Sequence, residues 1–185
     1  MSIFFSSDHH FFHSNIIKYC NRPFSDVDCM NADMICRWNT TVGKDDSVIY
    51  CGDLSAGLGK REENLREVIR SLNGRKFLVR GNHDHQTDDW YEASGFEKVF
   101  ERLELGGVLV IHYPLMTAQD FGVNLDEIGE IEHVVHGHTH HASTPNHENH
   151  FNVAVDRNDF FPVDYRKAIP DHLQTQFIDA VSCLL

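Results

Sequence analysis

The chain has 185 residues, with 28 acidic against 16 basic side chains, a formal net charge of -12 and 14 histidines. That length fits the ~100–200 residues of a single domain and is enough to bury a core, so residues 1–185 read as one domain. The acidic balance argues against a surface that tracks long nucleic acid, and 41% hydrophobic with 24% charged residues excludes a disordered or fibrous chain.

Ser2 to Ser7 reads as a short strand ending at Asp8. The same stretch lacks the basic start of a signal sequence, and no apolar run reaches the ~18 residues needed to span a bilayer, so no membrane association is expected. Asp26 to Thr41 carries Val27, Met30, Met34, Ile35 and Trp38 at helical spacing, which predicts a helix capped by Ser25. Ser47 to Cys51 is the next strand and closes at Gly52-Asp53. Leu65, Val68, Ile69 and Leu72 predict a second helix over Lys60 to Leu72, stopped by Asn73-Gly74. Lys76 to Val79 forms a strand closing at Gly81-Asn82-His83-Asp84. Phe96 to Leu105 and Val108 to Ile111 read as a hairpin turning at Gly106-Gly107, with the second strand ending at His112. His133 to Val135 is a further strand, ending near Gly137-His138. Strands alternating with helices predict an α/β fold, to which the second half adds another sheet.

Cys20, Cys29, Cys36, Cys51 and Cys183 are odd in number and lack the close pairing of a zinc knuckle or redox motif. They read as reduced thiols of a cytoplasmic protein.

Five predicted strands thus end in residues able to hold a cation. Asp8 and His10 lie two apart, a spacing at which the period-two pleat turns both side chains to one side, and His138 and His140 share that spacing. Asp53, Asn82 and His112 arrive from three other strand ends, the edge of an open α/β sheet where ligands collect. The ordered blocks Asp8-x-His10, Gly52-Asp53, Gly81-Asn82-His83-Asp84, His112 and Gly137-His138-x-His140 resemble the calcineurin-like metallophosphoesterase superfamily, over roughly residues 3 to 156.

The resemblance implies a four-layer α/β/β/α sandwich of two mixed sheets flanked by helices, with the site at the strand C-termini. It implies two divalent metal ions, one on Asp8, His10, Asp53 and His140, the other on Asp53, Asn82, His112 and His138. Asp53 would bridge them, a role suited to a carboxylate with two oxygens. With imidazole and carboxylate ligands and no thiolate, Mn²⁺, Fe²⁺, Ni²⁺ and Zn²⁺ all suit the set. The implied reaction is hydrolysis of a small phosphodiester or phosphomonoester, a nucleotide among the candidates, by in-line attack of a metal-held hydroxide. His83 would protonate the leaving oxygen and Asp84 would orient that imidazole.

His13, Asn15 and Arg22 flank the first block and are candidate substrate contacts, Arg22 through its guanidinium fork, whereas His13 equally suits a loop cap. Leu54-Ser55-Ala56-Gly57 after Asp53 departs from the Asp-Arg continuation of the protein phosphatases, which argues against phosphoprotein substrates. A nuclease trimming short single strands competes within the same chemistry. A protein-binding scaffold of the same fold would have lost ligands that are all present here. His133, His136, His141, His147 and His150 read as structural or surface residues rather than as an accessory metal patch.

Overall fold

The structure, a computed structural model, describes residues 2–57, 59–124, 126, 128–140 and 149–184. Its first half is built on β1 (Ile3–Ser6), β2 (Ser47–Tyr50), β3 (Arg75–Val79) and β4 (Lys98–Phe100), all parallel. Between them run α1 (Ser14–Tyr19), α2 (Val27–Thr41), α3 (Glu62–Ser71) and α4 (Asp88–Ser94). Strand alternation divides the apolar residues between two faces. Phe4, Val48, Tyr50 and Leu78 meet Met30, Met34 and Trp38 of α2 and Leu65, Val68 and Ile69 of α3 in one core. Ile3, Phe5, Ile49, Cys51 and Val79 face the other way, into a second core.

That second core is closed by a second sheet, formed by β5 (Leu103–Leu105), β6 (Val108–Val110), β7 (His133–His136) and β8 (His150–Asn152). Leu103, Leu105, Val108, Val110 and Val135 supply its side of the interface. β9 (Val163–Asp164) returns antiparallel to β1, so the first sheet runs β4-β3-β2-β1-β9. Both sheets are therefore mixed, as expected, and helices flank them.

The helical cover is unequal. On the outer face of the second sheet, Leu109, Ile111 and Val134 are covered by Ala118 of the four-residue α5 (Leu115–Ala118) and its neighbours. α6 (Tyr165–Ala168) and α7 (Asp171–Leu184) follow, and Leu173, Phe177 and Val181 of α7 pack into the core between the sheets. A Cβ at Gly106 would overlap the backbone of Gln176, so the β5–β6 turn seats directly against α7.

Two local expectations change. The apolar run from Phe96 to Leu105 is not one strand: it breaks at Glu101-Arg102, with β4 in the first sheet and β5 in the second. The cap of α2 is Asp26 rather than Ser25, its carboxylate accepting from the Cys29 amide at 2.8 Å while Ser25 Oγ donates to Asp26. Among the described residues, no helix is long and apolar enough to cross a membrane.

Candidate metal centre

In-register parallel pairing brings the ends of β1, β2 and β3 level, with Ser6 opposite Tyr50 and Tyr50 opposite Leu78. The loops that follow are stitched together: the Asp8 amide donates to Gly52 O at 2.9 Å and the His10 amide to Asp53 O at 3.2 Å. The Gly137 amide donates to His112 O at 3.0 Å, tying the two loops of the second sheet to each other. Gly81 and Gly137 allow this close approach, since a Cβ on either would overlap the Asp53 or Asp8 carboxylate.

Asp8 and His10 do converge, but not through the period-two alternation expected for them. No pleat runs through them. Asp8, His10, Asp53 and His138 all adopt left-handed backbone, with φ of 60°, 52°, 61° and 66°. Asp and His tolerate this region better than most residues, yet such conformations persist only where surrounding structure imposes them, at about 1–3 kcal/mol each.

Side chains gather in two groups whose ligand atoms lie within 4.8 Å of one another, Asp8 with His10 and His140, and Asp53 with His112 and His138. Asp53 joins them. Its Oδ1 accepts from the His83 amide at 2.9 Å, while its Oδ2 faces His112 Nε2 at 3.5 Å, His10 Nε2 at 3.6 Å and His83 Nε2 at 3.9 Å. Oδ2 is thus the carboxylate oxygen that faces both groups. Asn82 Oδ1 stands 3.2 Å from His112 Nε2.

Each of these two groups could hold a cation. His10 Nε2 and His140 Nε2 approach to 3.3 Å, which sets lone pairs face to face unless a proton or a cation lies between them. His112 donates from Nδ1 to Cys51 O at 2.7 Å and His140 from Nδ1 to Asp156 at 2.6 Å, so each turns Nε2 inward. A third grouping, Cys20 with His140 and Asp156, is different in kind: its His140 nitrogen and its carboxylate already satisfy one another.

Burial opposes charge on both His112 and His140, but Asp53 and Asp8 around the first and Asp156 beside the second outweigh it, lifting them to about 9 and about 10. Burial holds His138 down, to about 4. In metal-stripped protein at pH 7, His112 and His140 therefore carry protons that a cation must expel. Cation uptake is expected to release about two protons and to strengthen as pH rises, by up to ~10-fold per proton per pH unit. Calorimetry in buffers of different ionisation enthalpy counts the protons, and a count near zero would mean that both rings start neutral.

The remaining candidates are placed differently from one another. His83 is 42% exposed by side chain at the open side of the centre, its ring 5.4 Å from that of His10. Asp84 was expected to orient His83, but its carboxylate accepts from the amides of Asp53, Gly81 and Leu54. It fastens the two loops on which Asp53 and Asn82 sit. Burial and the neighbouring Asp53 raise Asp84 to about 6. His13 packs at 5.8 Å from the His10 ring, and Asn15 is exposed on α1. His133 and His136 bond to the carbonyls of Ala168 and Gly137, while His141 and His147 lie outside the described residues.

Arg22 does not present a free fork to substrate. It is buried, donates from Nε and Nη2 to both Asp156 oxygens at 2.8 Å, and spends its other contacts on the carbonyls of Asp8 and His9. Asp156, which no sequence block singled out, thereby becomes the link between Arg22 and His140. Its carboxylate is held below its ordinary range: His140 and Arg22 overcome the effect of burial. Asp156→Ala is expected to weaken cation affinity ~10–100-fold, and Asp156→Asn, which keeps an acceptor for Nδ1, to lose less. Equilibrium dialysis of the folded variants measures this, and equal affinity in all three proteins would remove Asp156 from the support of the centre.

Two sheets back to back, with carboxylates and imidazoles at their shared strand ends, define a class. The chain belongs to the calcineurin-like phosphoesterase superfamily, whose domain profile matches residues 1–155. An uncharacterized protein of Methanocaldococcus jannaschii is 38% identical over 143 residues, covering 76% of this chain and 70% of that protein. The gene 66 protein of Mycobacterium phage L5 is 32% identical over 160 residues, covering 74% of this chain and 76% of its own. A protein of unknown function from Aquifex aeolicus shares the fold, with a TM-score of 0.68 at 23% identity over 90% of this chain and 96% of that one.

Proposed function

We propose that this chain is a dinuclear metal-dependent phosphoesterase that hydrolyses a small phosphodiester or phosphomonoester. The observation that carries the reading is Asp53 Oδ2, which stands at similar distance from His10 of one ligand group and His112 of the other. Asp8, His10, Asp53 and His140 would hold one cation, and Asp53, Asn82, His112 and His138 the second. Mn²⁺, Fe²⁺, Ni²⁺ and Zn²⁺ are the candidate ions. Two divalent ions, when bound, neutralise phosphate charge and acidify water. The chain's own residues do the rest. Asn82 contributes a neutral amide oxygen, so Asp8 and Asp53 leave the centre net positive toward an anionic ester. His83, the exposed imidazole of the set, is positioned to protonate the departing oxygen.

The complete ligand set supports an enzyme over a scaffold, and the net charge of -12 favours a small ester over a polymer. The unpaired cysteines support a reducing, cytoplasmic setting. The test is reconstitution of stripped protein with each candidate ion, followed by a panel of phosphomonoesters and phosphodiesters. Turnover should vanish on stripping and return with two equivalents of metal. Full turnover in protein shown by elemental analysis to be metal-free would defeat the proposal.

A further inference from the structure

Beside the Asn82, His112 and His138 side of the centre lies a cavity of about 320 Å³, lined among others by Arg80, Arg102, Tyr113, Phe121 and Asn124. It shares a wall with the ligands. The Tyr113 ring centroid is 4.9 Å from that of His112 and 5.1 Å from that of His138, and Phe121 lies 4.9 Å from His138. Gly81 and Ile111, the chain neighbours of Asn82 and His112, also line it, so the cavity directly adjoins the centre.

The wall is aromatic. Tyr113 and Phe121 stack with centroids 4.1 Å apart and planes 7° from parallel, and the His138 ring meets Phe121 at 74°. Phe121 nevertheless stays 45% exposed, an unusual place to leave a large apolar ring beside a polar centre. Its short helical turn, Gln119–Phe121, is closed by Gly122 in the left-handed region, with amide bonds from Gly122 to Gln119 O and from Val123 to Ala118 O. Around this platform stand polar groups. Arg80 is anchored by the carbonyls of Asp84 and Gln86 at 2.8 Å and pairs with Asp88 and, at 3.5 Å, with Glu101, whose carboxylate also lines the cavity, while Arg102 lies 3.3 Å from Glu104.

An aromatic platform with guanidinium, amide and hydroxyl groups at its margin suits a flat heteroaromatic ring with polar edges. The volume lies in the range of small-ligand pockets, ~300–1,000 Å³. We propose that this cavity holds the nucleobase of a nucleotide phosphoester whose phosphorus sits at the cation centre, an assignment that rests on the phosphoesterase reading above.

The test uses metal-reconstituted protein and two non-hydrolysable probes, the methylenephosphonate analogues of AMP and of ribose 5-phosphate, which differ only in the base. Calorimetry should give at least ~10-fold tighter binding of the adenosine analogue, as base stacking supplies. Phe121→Ala should erase that difference, leaving the affinity for the ribose analogue and the metal content unchanged, and Phe121→Trp should preserve it. Equal affinity for both probes in the unaltered protein, or an equal loss of both in Phe121→Ala, would overturn the assignment. Base discrimination without turnover on any phosphoester would instead overturn the phosphoesterase reading and leave the cavity's ligand in place.

Discussion

Asp53→Asn is expected to lose both cations together and to reduce turnover at least ~10³-fold, because uncoordinated water has a pKa near 15.7 and supplies little hydroxide at neutral pH. The geometry makes the effect joint. Oδ1 is committed to the His83 amide, which leaves Oδ2 alone to face His10 and His112. An amide there either turns donor hydrogens toward both groups or offers a neutral oxygen in place of a charged one. Asn15→Ala, exposed on α1, is the control and should keep both ions. Elemental analysis of the two folded variants decides the matter: full occupancy without the Asp53 carboxylate would mean that the two ligand groups are independent sites.

His83→Ala should lose activity in proportion to the basicity of the leaving oxygen. General acid catalysis contributes ~10²–10⁴-fold where charge builds on a basic atom and little where it does not. Nitrophenyl esters should be hydrolysed at near-normal rates, while alkyl and ribose esters slow by about those factors. His83 sits on the same loop as Asn82, and its amide holds Asp53. That amide survives the substitution, so metal content should not change. Equal losses on both kinds of ester with metals retained would remove the acid role, and a fall in metal content would show that the imidazole supports the ligands instead.

The convergence of the candidate ligands was legible because each block sits at the end of a short apolar run. The helix over Val27–Thr41 was equally plain, its buried side being Met30, Met34 and Trp38. What escaped was whatever depended on partners distant in the chain. Arg22 looks like a phosphate fork until Asp156, 134 residues away, is seen to occupy it. Asp84 looks like a partner for the adjacent imidazole, yet burial directs it to three amides on the two loops it joins. Phe96 to Leu105 reads as one strand because periodicity does not reveal that the chain changes sheets in the middle. Asp156 had no signal of its own. It belongs to none of the ordered blocks.

The left-handed backbone at Asp8, His10, Asp53 and His138 sets durability against activity. Each position would be more relaxed with glycine, which adopts that region at less cost. A laboratory lineage selected for heat resistance alone, with no demand for turnover, is therefore expected to erode these four positions early, yielding hardier proteins that no longer capture metal.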